Sequence, residues 1–254
     1  MPNSVETPKA KKGIGWLLAL LVALVACAVA LVVALSFNSS NKMGSYAAQD
    51  DTETIEASKS SKPQVTNAST QVTNLVSLMG LSANDAVVKI GHGASIQEEA
   101  PMSSIGFSKE ETVALTNEKG DSLSGTPTVT LGFDDNDGVV AASYTAATSL
   151  LGYGSIAFVD AVQKYHIVEN TLYKAGLTTV EEGSVELPSK TAYSTYGPDR
   201  KTLVSETCTF QGTADLDGVA YAWNATLDYD YTQANKESDL SKTVKKITIS
   251  VMRA

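Results

Sequence analysis

The sequence has few of the side chains on which catalytic and metal sites most often depend. Its 254 residues include two histidines and two cysteines, and none of these is spaced as a zinc site requires. His92 stands between two glycines, where a capping role is typical, and His166 lies in an amphipathic stretch as a partly buried spacer. We therefore expect a non-catalytic protein with no cofactor and no metal centre.

The two cysteines also exclude an intramolecular disulfide. Cys27 lies within an apolar run, and Cys208 stands in a strand pattern far outside it, so their sulfur atoms cannot meet. Cys208 is flanked by Thr207 and Thr209, with no histidine nearby in sequence, which is typical of a buried small hydrophobe. An exported domain without disulfides fits a bacterial envelope better than a eukaryotic secretory product.

Positive charge is scarce as well. The chain has 19 Lys and Arg residues against 28 Asp and Glu residues, a formal net charge of −9. Nucleic acids and anionic lipid headgroups both select for lysine and arginine. The acidic balance therefore argues against a nucleic-acid partner.

The most informative feature that is present is an uncharged run over residues 14–37, preceded by Lys9, Lys11 and Lys12. A hydrocarbon core of about 30 Å needs roughly 20 apolar residues in a helix, so this run is long enough to span it. Basic flanks stay on the cytoplasmic side. The sequence predicts a single-pass cell-membrane protein with a cytoplasmic tail at residues 1–13 and everything beyond the anchor outside the cell membrane.

Two other uses of the same run remain open. Leu24-Val25-Ala26-Cys27 has the spacing of a lipoprotein signal, which would make Cys27 a lipidation site, and a secretory signal could be cleaved near Ala34-Leu35-Ser36. A lipidated cysteine normally opens a polar tether, but here the apolar run continues through residues 28–35. The continuation favours a permanent anchor.

Beyond the anchor, the composition predicts a disordered linker over residues 38–73 and an α+β region with two repeats, residues 74–150 and 151–254. The repeats are inferred from matching motifs. Gly132-Phe133-Asp134-Asp135-Asn136-Asp137-Gly138-Val139 matches Gly212-Thr213-Ala214-Asp215-Leu216-Asp217-Gly218-Val219 at the Gly, Asp, Asp, Gly and Val positions. A helical segment ending in Lys-x-Gly precedes each copy, at Lys89 and at Lys174.

Local patterns predict the elements of this region. Ser82-Ala83-Asn84-Asp85 is a capping box and Gly91 a stop signal for one helix, and an apolar stripe from Ile156 to Gly176 predicts a longer one. Alternating apolar residues between Val219 and Tyr231 predict a strand with one buried face. We expect helices packed on one face of an antiparallel β-sheet.

The run from Gly80 to Gly91, Gly-Leu-Ser-Ala-Asn-Asp-Ala-Val-Val-Lys-Ile-Gly, resembles a signature shared by small outer-membrane assembly lipoproteins and secreted β-lactamase-inhibitor proteins. The resemblance implies a helix–loop–helix on an antiparallel sheet, in tandem as in the inhibitor proteins. It also implies binding of other proteins through sheet and loop surfaces. It covers 12 residues and carries over no functional residue.

Two groups of residues are candidates for a binding role. Tyr221, Trp223, Tyr229 and Tyr231 share one strand face, which is either packed core or an open binding face, since aromatic residues concentrate at both. Asp134, Asp135 and Asp137 form either a weak cation-binding loop or a solvated hairpin turn, because the spacing does not fit an EF-hand.

These observations together predict a membrane-anchored, extracytoplasmic binding or assembly module of the bacterial cell envelope. Its partners would be the membrane, through residues 14–37, and an envelope protein or a cell-wall polymer. An envelope hydrolase with an unrecognised site, or a lipoprotein of the same fold, is the alternative.

Overall fold

One antiparallel sheet of eight strands dominates the structure, a computed structural model that describes residues 71–91, 93–100, 109–114 and 127–254. The strands are β1 (Ser95–Ala100), β2 (Lys109–Ala114), β3 (Thr128–Phe133), β4 (Val139–Ala147), β5 (Ser194–Tyr196), β6 (Leu203–Leu216), β7 (Val219–Asp230) and β8 (Val244–Arg253). The α-helices are α1 (Ala83–Ile90), α2 (Phe158–Gln163), α3 (Ile167–Lys174), α4 (Lys190–Tyr193) and α5 (Thr232–Glu237), with 3₁₀ turns at Val76–Leu78, Thr148–Leu151 and Leu240–Lys242.

The predicted anchor at residues 14–37 lies outside the described residues, as do Cys27, His92 and all but the end of the predicted linker over residues 38–73. Within the ranges that are described, no helix is long and apolar enough to cross a membrane.

Helix α1 forms where its local signals predict. The Ser82 hydroxyl oxygen accepts the Asp85 backbone N–H at 3.3 Å, and the hydroxyl donates to the Asp85 carboxylate at 2.7 Å. Gly91 follows with φ +70°, a conformation that glycine adopts without strain. The predicted capping box and stop signal are both confirmed.

The predicted long helix between Ile156 and Gly176 is wrong, because the chain breaks at His166. His166 has φ +46° and forms the N-cap of α3, so it separates α2 from α3 instead of lying within one helix. The apolar stripe continues through the break because both helices pack on the same core. Periodicity alone therefore did not reveal it.

The two faces of the sheet differ sharply. In β8, Ile247, Ile249 and Val251 are buried, whereas Thr248 and Ser250 on the opposite face are half-exposed. The same alternation continues across the paired positions of β3, β4, β6 and β7, and the helices pack on the apolar side. The predicted α+β class with helices on one face of an antiparallel sheet is confirmed.

Polar contacts join the segment before α2 to the sheet. The Lys245 ammonium donates to the carbonyl oxygens of Gly154 at 2.9 Å and Ile156 at 3.0 Å, and the Tyr229 hydroxyl donates to the Ile156 carbonyl at 3.1 Å. Burial lowers the pKa of Lys245 below its usual value. The helical layer is thereby fixed in position at this end of the sheet.

The strand order β1-β2-β3-β4-β8-β7-β6-β5 describes two four-stranded meanders joined through their last strands. Lys89 is the penultimate residue of α1, the last helix before the first meander, whereas Lys174 ends α3 and is followed by α4 before the second meander. The two Gly–Asp–Asp–Gly–Val motifs are not equivalent in this order, however. One lies in the third connection of its meander, between β3 and β4, and the other in the second connection, between β6 and β7. The repeat boundaries stay a prediction.

Candidate functional site

The aromatic row of β7 faces the core, not the solvent. Tyr221 is 7% exposed, Trp223 9% and Tyr229 0%. The Tyr229 ring also meets Phe158 edge-on at 5.3 Å between ring centres. Tyr231 is half-buried, and its hydroxyl donates to the Glu206 carboxylate at 2.7 Å. The three tyrosines pack in or against the core and Trp223 is nearly buried at its border, so the expectation of an open aromatic binding face is not met.

The acidic loop between β3 and β4 is a turn that its own backbone closes. One carboxylate oxygen of Asp134 accepts the N–H groups of Asn136 at 2.9 Å and Gly138 at 3.0 Å. These two bonds lower the pKa of the Asp134 carboxyl group. Nowhere in the described residues do three His, Cys, Asp or Glu side chains converge as a metal site requires. The loop as observed corresponds to the solvated-turn interpretation.

The outer edge of β6 is a candidate recognition feature. Strand β5 pairs with β6 only between Leu203 and Glu206, so from Thr207 to Leu216 the described residues place no strand on that side. We call this stretch the free edge. Unpaired edges are uncommon in such length because they can accept a further strand.

The turn between β6 and β7 fixes which backbone groups point outward. Asp217 and Gly218 have φ +53° and +80°, as in a two-residue type I′ hairpin, and Leu216 pairs with Val219. In such a hairpin the flanking pair is hydrogen-bonded and the pattern then alternates. The odd-numbered residues from 207 to 215 therefore direct their N–H and C=O groups away from β7. Consistent with this, the Thr179 hydroxyl donates to the Asp215 carbonyl oxygen at 3.2 Å.

A cleft of about 460 Å³ lies beside the free edge. Apolar side chains of Phe210, Trp223, Val180 and Val185 contribute to its lining. Polar residues complete the lining: Thr179, Glu181, Ser184, Glu186, Gln211 and Thr213. We call it the β6 cleft. Its volume falls in the range of about 300–1,000 Å³ that is usual for ligand pockets.

The segment that forms the far wall of the β6 cleft is held by a buried carboxylate. Glu169 of α3 is 2% exposed, and one of its oxygens accepts the N–H groups of Gly183 at 3.2 Å and Val185 at 3.1 Å. The His166 ring lies 3.9 Å from the same oxygen and 3.5 Å from the Glu182 carboxylate. The wall is therefore tied to a helix of the core, which gives the cleft a defined shape.

The β6 cleft is acidic. Glu181 and Glu186 are both exposed, and no ion pair joins either of them to a lysine or arginine of the described residues. The lining itself contains no basic side chain. It also pairs no histidine or cysteine with Ser184, so the arrangement is suited to binding by shape, hydrogen bonds and charge.

No family model matches this chain. No curated protein and no solved structure matches it either. The site must therefore be interpreted from its own geometry.

The sheet face opposite the helices lacks aromatic side chains and is rich in threonine and serine in β3, β4, β6, β7 and β8. Five threonines lie in one row across these strands: Thr128, Thr145, Thr248, Thr226 and Thr209. Their hydroxyl groups bond to one another, at 3.0 Å between Thr145 and Thr248 and at 2.8 Å between Thr209 and Thr226. Threonine and serine are under-represented at binding hot spots. The β6 cleft, with its two aromatic rings, is the stronger candidate.

The sequence patterns did not reveal this site, although one part of it could have been predicted from them. The Leu216-Asp217-Gly218-Val219 hairpin predicts which β6 residues bond to β7, since the two-residue turn sets the register. The absence of a partner on the other side depends on the strand order, which no local pattern encodes. The approach of Val180 and Val185 to Phe210 is likewise a tertiary contact.

Proposed function

We propose that the chain is a membrane-anchored, extracytoplasmic binding or assembly module of the bacterial cell envelope. Its working surface would be the free edge of β6 together with the β6 cleft. The lysines before residues 14–37 and the uncharged run itself support the membrane anchor and its orientation.

The observation that carries the binding role is the free edge beside a cleft with an apolar floor. Proteins usually shorten, cover or charge their sheet edges, because bare edges promote unwanted pairing. Here four of the five outward-facing positions, Thr207, Thr209, Gln211 and Thr213, are uncharged, and a charge appears only at Asp215, next to the turn. An open edge next to Trp223 and Phe210 supports a protein-binding role, because an added strand can bond to the edge and place side chains against the two rings.

A tandem origin of the two meanders belongs to the same proposal. Their symmetrical joining through β4 and β8 supports it. The displaced hairpin motifs argue that the repeat units align by strand order and not by those motifs. The resemblance to assembly lipoproteins and inhibitor proteins likewise stays a prediction.

Site-specific photo-cross-linking tests the proposal. A photoreactive phenylalanine at Gln211, on the free edge, is compared with one at Tyr173, which is 57% exposed on α3 and does not line the cleft. In cells that produce the full membrane-bound chain, we expect an envelope component to cross-link at Gln211 and not at Tyr173. No adduct from Gln211, or the same adduct at equal yield from both positions, would contradict a binding role for this edge.

A further inference from the structure

The free edge presents a regular row of backbone donors and acceptors. The outward-facing residues Thr207, Thr209, Gln211 and Thr213 recur every second position along β6, at a spacing of about 6.6–6.8 Å. Within the described residues, no backbone hydrogen bond outside the sheet uses these groups. An extended peptide can pair with such a row as one more strand.

The side chains of an added strand would alternate between the two sides of the sheet. Those on the helix side would enter the β6 cleft, where Phe210, Trp223 and Val185 offer apolar contact. The indole N–H of Trp223 is buried and has no acceptor in the described part of the chain. The side chains of the added strand on the opposite side of the sheet would lie beside the hydroxyl groups of Thr209 and Thr213. Main-chain bonds would supply affinity and the cleft would supply selectivity.

Charge determines the kind of peptide. Glu181 and Glu186 line the cleft with no basic side chain beside them, so lysine or arginine in the bound segment would gain favourable interactions. A second copy of this chain would bring the same two carboxylates to the same edge. Like charges brought together in this way disfavour a dimer through β6.

We infer that β6 accepts a basic, extended segment of a partner protein as a ninth strand of the sheet. The inference rests on the proposed binding function of the free edge and names its ligand class. The bound segment places alternate side chains in the β6 cleft and pairs its lysines or arginines with Glu181 and Glu186.

A designed peptide provides the test. The full chain in detergent micelles is titrated against fluorescein-labelled KVKTKVKT, and binding is followed by fluorescence anisotropy. The four lysines of this peptide share one side of the strand, so their aliphatic stems would contact Phe210 and Trp223 while their ammonium groups reach the two cleft carboxylates. A second peptide carries an N-methyl group on every backbone amide, which keeps its charge and removes the N–H donors of both strand edges. We expect KVKTKVKT to bind at least about tenfold more tightly than the N-methylated peptide, because main-chain pairing supplies the affinity.

Two matched double variants isolate the contribution of charge. E181K/E186K reverses both cleft carboxylates and is expected to weaken binding of KVKTKVKT by about tenfold. D135K/E237K changes the net charge equally at exposed positions outside the cleft lining, and is expected to leave affinity within about twofold. All four positions are exposed, so both variants should fold.

Several outcomes would overturn the inference. Equal binding of the N-methylated peptide would mean attraction without strand pairing, and equal weakening in D135K/E237K would mean attraction to net charge alone. A concentration-dependent dimer that the neutral variant E181Q/E186Q strengthens would identify a second copy as the occupant. An adduct at Gln211 in cells without any binding of KVKTKVKT would refute the basic strand while leaving the proposed function intact.

Discussion

The indole of Trp223 lies directly over Gly212, its neighbour across the β6–β7 ladder. A Cβ atom at position 212 would come within 2.5 Å of Trp223 Cζ2 and 2.8 Å of Cε2. No side chain larger than hydrogen fits there unless the ring moves. The glycine in the middle of an edge strand is thus explained by the aromatic ring that covers it, a known device for edge glycines.

Gly212→Ala is therefore expected to lower the free energy of unfolding by about 1–3 kcal/mol through overpacking. Urea denaturation measures the change. In a Trp223→Leu background the same substitution should cost much less, because the clashing ring is gone. An equal loss of unfolding free energy in both backgrounds would mean that position 212 requires glycine for its backbone conformation and not for contact with the ring.

Glu169 is expected to control the order of the cleft wall. Glu169→Ala removes the acceptor for Gly183 and Val185 and should speed amide hydrogen exchange at those two residues. Leaving two backbone donors without a partner costs about 1–3 kcal/mol each if they stay buried. Glu169→Gln keeps an acceptor oxygen, so its exchange rates should stay closer to those of the unaltered chain. Unchanged exchange in Glu169→Ala would show that the wall is held by other contacts.

Tyr144 and Tyr229 should respond in opposite ways to loss of the hydroxyl group. Tyr144 is 0% exposed, and its hydroxyl has no partner among the described residues, whereas the Tyr229 hydroxyl donates to the Ile156 carbonyl. Tyr144→Phe is expected to raise the free energy of unfolding at pH 7 by about 1 kcal/mol, and Tyr229→Phe to lower it by a similar amount. Destabilisation by Tyr144→Phe would indicate a hydrogen bond to a residue beyond those described.

Tyr144 should also make the free energy of unfolding depend on pH. Burial raises the pKa of the Tyr144 hydroxyl above its ordinary value of about 10. Above that pH the unfolded chain releases the phenolic proton while the folded chain keeps it, so stability falls as pH rises. Tyr144→Phe should therefore make the alkaline loss of stability shallower in urea titrations between pH 9 and 11. An unchanged slope would mean that Tyr144 does not contribute to it.

Cys27 distinguishes the anchor from the lipoprotein alternative. Mass spectrometry of the membrane-purified chain is expected to find an intact N-terminus and no acyl group on Cys27. Cys27→Ala should then leave the membrane-bound fraction unchanged, because the proposed anchor at residues 14–37 would hold the chain in the bilayer without a lipid. A mature chain that begins at an acylated Cys27 would establish the lipoprotein alternative.

Features that depend on neighbouring residues in sequence were predictable. The capping of α1 by Ser82, the alternation along β7 and the burial of Cys208 all follow from patterns of a few residues, and the structure confirms each. The break at His166 was not predictable in this way. A single left-handed residue changes the chain direction without changing which side chains are apolar.

The candidate site was harder to predict because it is built from distant parts of the sequence. Alternation in β7 separates its faces but does not say which face the helices cover, so the aromatic row remained ambiguous until the burial of Tyr229 resolved it. The free edge exists because β5 stops pairing at Glu206, a consequence of strand length and not of local propensity. The acidic wall at Glu181 is held beside that edge through Glu169 of α3, which is distant in sequence from β6.

The central position of β8 has a consequence for how the domain assembles. This strand is the last in sequence of the eight that the structure describes, and within that sheet it joins the two meanders, between β4 and β7. A chain that is delivered N-terminus first, whether from a ribosome or through a translocation channel, must hold both meanders unjoined until Val244–Arg253 arrives. Completion of the sheet is thus a late, long-range event, the kind of step that slows folding and leaves strand edges exposed in the meantime.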